Sequence, residues 1–272
     1  MIVHHPFAYQ FGPIAFTGFG LAMLLAFLIA YLVGTHEAQR RGIDPTKVGD
    51  LTFAAMVGGL LGAKIYYVIL TQDIHTLFSR GGFVFWGGLI GGMIGVAFTG
   101  WRMKLDLWQV ADLAGLAVPA AYSIGRTGCW AVGDDYGRPW SSRFAVSFPE
   151  GAPPSTAANM QQLFHVPVPP GTSPDAVLSV YPTQLLEVAL GFAIFALLWK
   201  MRKNVHAPGW LFGAYMALAG LERFLVEFLR AKDDRFFGTL TMAQLFGVLF
   251  IIAGVVVMRM RARPTLEPAT IA

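Results

Sequence analysis

Two arginines, Arg126 and Arg223, stand in stretches otherwise apolar enough to lie inside a membrane. A guanidinium stays charged at physiological pH, so holding one in hydrocarbon is costly unless an acid or a wet cavity compensates. One use for such a charge is an internal ion pair that fixes helix packing. Another is a site for an anionic head group. Two arginines, with acids close by and a glycine-rich polar segment directly after the first, favour the head-group site.

The elements that must position these residues follow from composition. The chain has 272 residues, 55% hydrophobic and 13% charged, and a mean hydropathy of +0.56. Soluble domains carry about a quarter charged residues, so the fold class expected is an all-α polytopic membrane protein, a single membrane domain over residues 1–272. About seven spans of bilayer-crossing length are expected, near 13–34, 51–70, 82–101, 108–127, 182–200, 210–229 and 240–258. The N-terminal MIVHHPFAYQF has no Lys or Arg before the first apolar run, so that run reads as a permanent span rather than a cleaved leader. Eleven Lys and Arg fall in loops on one side of this arrangement and six on the other. The positive-inside rule then puts the N-terminus outside and the C-terminus in the cytoplasm, with Trp101, Trp108, Trp199 and Trp210 at the cytoplasmic interface. The basic residues are topology signals in short loops, and no nucleic-acid face is expected. Residues 128–181, rich in Pro, Ser and Gly, are too polar to span and are expected to form a small, partly ordered external head between spans four and five.

Orientation and a rise of about 1.5 Å per residue convert position into depth. Lys64 falls about 9 Å below the outer boundary, Gln184 and Glu187 about 5–9 Å, and Arg223 about 9–10 Å. Arg126 ends its span close to the same boundary. Glu227 and Arg230 follow Arg223 at i+4 and i+7, on one helix face. These polar groups therefore meet in the outer leaflet, where a lipid carries its phosphate and glycerol. Asp112 lies near the cytoplasmic end and reads as structural. Small-anion transport would call for a site nearer the midplane and an inverted repeat, and no repeat is evident.

Other chemistries find little support. The single cysteine, Cys129, excludes an intrachain disulfide. No Cys/His cluster has metal-ligand spacing, no phosphate-loop or dinucleotide motif is present, and neither a metal nor another cofactor is expected. Cys129 reads either as a small apolar residue on a turn or as a reactive thiol, which would need a depressed pKa. Gly87, Gly91 and Gly95, at four-residue spacing, read as a close helix-packing face.

The assembled residues resemble one family, the phosphatidylglycerol–prolipoprotein diacylglyceryl transferases. GRTGCWAVGDDYGRP (Gly125–Pro139) is similar to the family's G-R-x-G-N-F-x-N-G-E-x-x-G signature. YPTQLLE (Tyr181–Glu187) resembles its H-P-S-Q-L-Y-E segment, and RFLVEFLRAKD (Arg223–Asp233) its R-x-x-V-E-F-F-R-x-x-D segment. GPIAFTGFGL, LGAKIYYV and WGGLIGG match further landmarks in order, so the resemblance covers nearly the whole chain.

The resemblance implies a seven-helix inner-membrane enzyme with an external head. Its substrates would be phosphatidylglycerol and prolipoprotein signal peptides carrying a lipobox cysteine, with membrane lipids as surroundings. The diacylglyceryl group would pass to the thiol and glycerol phosphate would leave. Arg126 and Arg223 would stabilise the charge gathering on the leaving phosphate oxygen, while Glu187 and Glu227 would orient these arginines or act as a base. Gly125, Gly128, Gly133 and Gly137 would allow tight turns and close backbone approach to a head group. Asp134, Gln184, Arg230, Lys64, Trp86 and Phe19 complete the expected substrate-binding set, Asp134 also standing as a candidate base. The chain departs from the family pattern at four places: Trp86 stands where a histidine is frequent, Cys129 at the signature Asn, Asp134 at its Glu and Phe19 at a tyrosine. A rival reading is a lipid-binding or lipid-moving paralogue that keeps the phosphate clamp without the chemistry.

Overall fold

A computed structural model describes residues 2–11, 14–79, 82–203, 206–232, 235–237 and 240–262. Arg80 and Arg263 of the loop charges, Asp233 of RFLVEFLRAKD, and Gly12 and Pro13 of GPIAFTGFGL lie outside the described residues. The described helices are α1 (Gly18–Arg40), α2 (Thr46–Thr71), α3 (Phe85–Arg102), α4 (Leu107–Val132), α5 (Ala157–Gln162), α6 (Thr183–Met201), α7 (Trp210–Val226) and α8 (Met242–Met260). Short strands are β1 (Ile2–Val3), β2 (Ala8–Phe11), β3 (Ile14–Thr17), β4 (Val146–Ser147), β5 (Ser179–Val180), β6 (Arg235–Phe237) and β7 (Leu240–Thr241).

A long helix overlaps each expected span, and the chain is a mostly helical, polytopic membrane protein. Among the described residues, α1, α2, α6 and α8 are long and apolar enough to cross a membrane. Of the others, α3 is diluted by glycine, α4 carries Asp112 and Arg126, and α7 has only 17 residues. Several boundaries differ from expectation, and three of them matter for the site. The first helix starts at Gly18, because Ile14–Thr17 pairs with Ala8–Phe11 as a hairpin. Helix α4 runs through Pro119 and on to Val132, beyond the expected 127. Helix α7 stops at Val226, short of the expected 229.

The chain divides into two compact units. One comprises Met1–Ala26 with Val118–Ala272, the other Phe27–Ala117. In the first unit, residues 133–182 are a packed element with its own apolar core. Tyr136, Val146, Phe148, Met160 and Val180 are buried together with Ala231, and the Tyr136 and Phe148 rings stack at 5.2 Å. Strand β4 lies between β1 and β5. The buried Ser155 hydroxyl accepts from the Phe148 amide at 3.0 Å and donates to the Leu178 carbonyl at 2.9 Å, tying the loop strands together. Helix α8 begins in a reciprocal cap: the Gln244 amide donates to Thr241 Oγ1 at 3.2 Å, and the Thr241 amide to Gln244 Oε1 at 3.0 Å.

In the second unit, α2 and α3 pack backbone to backbone. A Cβ placed on Gly58 would fall 2.5 Å from the Gly91 carbonyl oxygen, and one on Gly95 would fall 2.6 Å from that of Ala54. Only glycine permits this approach. The same unit holds an ion cluster. Glu37, fully buried, accepts from Arg40 and Arg41, and Arg41 donates to Asp112 at 2.9 Å. Asp112 thus has the structural role expected of it.

Candidate functional site

Three helices of the first unit carry the charged residues singled out above. Arg126 lies in the last two turns of α4, Glu187 in the second turn of α6, and Arg223 in the last turn of α7. Glu227 caps α7. All but Arg223 are buried, and Arg223 keeps 33% of its side chain exposed.

Arg126 is the best-tied of the arginines. Its Nη2 donates to Glu187, and its Nη1 donates to Asp135 at 2.8 Å. The same Nη1 also lies 3.1 Å from the Cys129 sulfur. Arg230 bridges the remaining acids. Its Nη2 donates to Asp135 at 2.5 Å, and it pairs with Glu187 at 3.7 Å and Glu227 at 3.8 Å. Arg223 pairs with Glu227 at 2.6 Å, a charge contact without hydrogen-bond geometry, since both Glu227 oxygens still lack a hydrogen-bond partner. A continuous chain results: Arg126, Glu187, Arg230, Glu227, Arg223. The two arginines first noted are joined through acids and a third arginine.

Arg230 does not reach this chain from a continued helix face. With α7 ended at Val226, the backbone turns, and Arg230 forms a bridge with Gly137. The Arg138 amide donates to the Leu229 carbonyl at 2.8 Å, and the Ala231 amide to Tyr136 at 3.3 Å. These bonds fold the segment after α7 onto the segment after α4, which removes the i+7 relation expected from sequence.

Asp135 was not among the expected site residues. It follows Asp134 in a left-handed backbone conformation, φ 56°, which turns its carboxylate back toward Arg126 and Arg230. Burial alone would raise its pKa, but Arg230 and Arg126 outweigh burial and hold it at about 2. Asp134 behaves oppositely, pushed up to about 6 by burial and then by the charge of Asp135. Its backbone carbonyl accepts from Gln184 Nε2 at 2.5 Å, while its Oδ1 is buried without a partner. The paired acids after Gly133 were the available sequence signal; which of the two carries the ion pairs depends on the turn.

Several donors and acceptors remain open in this cluster. The Nε of Arg126, the Nε of Arg230 and the Oε1 of Gln184 are buried and lack hydrogen-bond partners. Such groups carry a desolvation penalty that a polar ligand would relieve. Cys129, Asp134 and Asp135 bring possible metal-ligand atoms within 4.8 Å of one another. The Arg126 guanidinium already supplies positive charge among those atoms, so the donor set is ill suited to a metal ion.

Residues 6–260 match the family described as prolipoprotein diacylglyceryl transferase. The chain belongs to that family. It is 30% identical to the phosphatidylglycerol–prolipoprotein diacylglyceryl transferase of Xylella fastidiosa strain M12, over 97% of this chain and 95% of the relative. Identity is also 30% to the proteins of that name from Paraburkholderia phymatum (93% and 91% covered) and Stenotrophomonas maltophilia strain R551-3 (98% and 97% covered).

Within this transferase fold, the four signature glycines divide by the packing that each permits. Gly125 and Gly128 lie inside α4 rather than on a turn. Gly128 lets α4 meet α1: an added Cβ would fall 2.9 Å from Ala22 Cβ and 3.2 Å from Phe19 Cα. Gly133, at φ 69°, makes the turn out of α4 against Gly151 and Phe148, and Gly137 is pressed against the Leu229 carbonyl, Tyr181 and Thr183. Only Gly125 has open space where a Cβ would stand. Cys129 is likewise helical, not on a turn, and it is buried against Arg126. Phe19, 41% exposed, lies at the start of α1 beside Gly128. Lys64 and Trp86 belong to the second unit. Lys64 donates to the Ser79 carbonyl at 2.6 Å and lies 4.6 Å from the Phe83 ring centre, so it caps a local turn rather than presenting a free ammonium. Trp86 lies in the first turn of α3, edge-on to Phe85.

Proposed function

We propose that this chain transfers the diacylglyceryl group of phosphatidylglycerol to the lipobox cysteine of prolipoproteins in the outer leaflet of a bacterial inner membrane. The topology that goes with this reading has seven spans, the N-terminus outside, the C-terminus cytoplasmic and residues 128–181 as an external head. The observation that carries it is the arginine–carboxylate chain from Arg126 to Arg223, with unpartnered guanidinium nitrogens, inside an apolar helical unit of a transferase-family member.

In the reaction, the acceptor thiol loses its proton and the sulfur attacks the glycerol carbon bonded to the phosphate oxygen. A C–S bond forms, the C–O bond breaks, and its electron pair leaves with glycerol phosphate. Guanidinium groups held in place before the reaction stabilise that gathering charge with little reorganisation. Arg223 has one ion-pair partner among the described residues and a third of its side chain exposed, which makes it the freer hand for the phosphate. Arg126 is fixed by Glu187 and Asp135, so it supplies field and rigidity, with Nε left to bind. Glu227 holds Arg223 and Arg230, and Gln184 holds the Asp134 backbone.

Purified protein, phosphatidylglycerol vesicles and a lipobox peptide test the reading, with mass spectrometry of the peptide as readout. A mass gain of one diacylglyceryl group is expected. Phosphatidylglycerol binding with no peptide product would instead favour a lipid-binding paralogue, the reading to which Trp86 and Phe19 lend support.

A further inference from the structure

A thiol acceptor needs a base, and most carboxylates of the charged cluster are poorly placed to be one. Glu187 is clamped by Arg126 and Arg230, Asp135 by the same two arginines, and Glu227 by Arg223 and Arg230. A carboxylate held by guanidinium is a weak proton acceptor, because its charge is already compensated.

Glu222 differs. It precedes Arg223 in α7 and is 8% exposed, yet no arginine or lysine pairs with it among the described residues. Its one hydrogen bond there comes from the Tyr122 hydroxyl, at a long 3.4 Å. Tyr122 lies on α4 one turn before Arg126, on the same helix face, so this contact sits a single turn from the arginine chain. Arg126 and Arg223 are near enough to act on both groups electrostatically. Elsewhere in the chain, buried acids such as Glu37 and Asp112 are paired with arginine. A buried glutamate hydrogen-bonded only by a phenol among the described residues is expensive as a purely structural element.

Resting on the transferase reading above, we propose that Glu222, held by Tyr122, accepts the proton of the acceptor thiol. The S–H bond breaks, its electron pair stays on sulfur, and the proton binds a Glu222 carboxylate oxygen. The thiolate then attacks the glycerol carbon as described, and the protonated Glu222 returns its proton to water or to the departing glycerol phosphate. The ionisable groups facing Glu222 are Tyr122 and Arg126 from α4, Glu187 from α6, and Arg223 and Tyr215 from α7 itself. The assignment places the base away from position 86, where this chain has tryptophan.

The test compares a cysteine peptide with the same peptide carrying selenocysteine, whose selenol ionises without help at neutral pH. With wild type, lipidation of the cysteine peptide should lose rate on the acid side of the pH profile. Glu222→Gln should lower kcat/KM for the cysteine peptide by about 100-fold or more and abolish that acid limb. With the selenocysteine peptide the same variant should recover to within about tenfold of wild type, since no base is needed. Tyr122→Phe should lower kcat/KM for the cysteine peptide, by less than Glu222→Gln does, and shift the limb toward higher pH, through loss of the hydroxyl that steadies the carboxylate.

A Glu222→Gln protein that still binds phosphatidylglycerol but is dead on both peptides would overturn the proposal in favour of a structural role. So would a Gln variant as active as wild type on the cysteine peptide. If Glu222→Gln does not fold, Glu222→Asp and Tyr122→Phe decide the matter: a displaced limb in either supports the proposal, and an unmoved limb in both defeats it. Wild type inactive on both peptides defeats the transferase reading itself, and this inference with it.

Discussion

Glu37, Arg40, Arg41 and Asp112 in one compact unit, and Arg126, Glu187, Asp135, Arg230, Glu227 and Arg223 in the other, are built from the same kinds of side chain. They are closed to different degrees. In the first cluster two arginines face two acids, and no buried atom of the four side chains lacks a hydrogen-bond partner. In the second, three arginines face three acids, but Arg126 Nε, Arg230 Nε and Glu227 Oε1 are buried without a hydrogen-bond partner, and Arg223 is one-third exposed. Closed valences hold helices together. Open ones, in an apolar setting, are costly to keep and suit a ligand that supplies the missing partners.

The largest effect should come from Arg126→Ala. It strips partners from Glu187 and Asp135 at once, and a buried charge left alone costs roughly 3–5 kcal/mol. Lipid transfer should fall by at least the roughly 10²–10³-fold that one lost charge-stabilising donor produces. Thermal melts in detergent alongside turnover would check both; a stable and active Ala variant would remove the cluster from the chemistry.

Arg223→Ala separates binding from stability. Its side chain is a third exposed, and Glu227, though buried, keeps Arg230 as a partner, so the stability loss should be smaller than for Arg126→Ala. Turnover should still drop about 10²–10³-fold. Arg223→Lys should restore part of it, because ammonium keeps the charge but lacks the two-pronged geometry. Equal damage to stability and turnover in the Ala variant would count against the division drawn here.

Arg41→Ala is the mirror experiment. It removes the arginine on Asp112 and one of the two arginines on Glu37, so stability should fall toward the lower end of the roughly 3–5 kcal/mol typical of a broken buried pair. Turnover per folded molecule should be unchanged. A selective loss of activity would show that the closed cluster also serves the reaction.

The smallest effect is a pH slope. Asp134 has its folded pKa raised from 3.8 to about 6. The folded state therefore holds a proton that the unfolded chain gives up, and stability falls as pH rises from 3.8 to about 6. Asp134→Asn should flatten that part of the melting-temperature profile. Asp135 has the opposite sign. Its depressed pKa contributes stability above 3.8 that is lost only as pH falls toward about 2, so Asp135→Asn should destabilise throughout the neutral range. Identical profiles for the two Asn variants would mean that the turn does not distinguish these neighbours.

Apolar run length and the placement of Arg126, Glu187, Arg223 and Glu227 were readable in the sequence. Hydrocarbon leaves so few reasons for a buried charge that each one marks itself. Glu187 and Glu227 were also readable as acids that would meet the arginines, from helix depth and spacing; Asp135 was not. Which residue meets which was not. Arg230 was expected on the Arg223 helix face and instead arrives through a backbone turn locked onto Gly137, because hydrogen bonds between distant segments ended α7 early. Asp135 looked no different from Asp134 until a left-handed φ aimed it at two guanidinium groups. Gly128, Gly133 and Gly137 read alike in the sequence, as turns and close approaches, whereas in the fold one permits helix packing, one a turn and one a backbone crossing. Glu222 passed unnoticed beside Arg223, since its hydrogen bond to Tyr122, rather than to a cation among the described residues, is a tertiary contact. Sequence determines which charges enter the membrane, because that cost is local. Only the tertiary structure decides how they pair, because pairing depends on contacts between segments far apart in the chain.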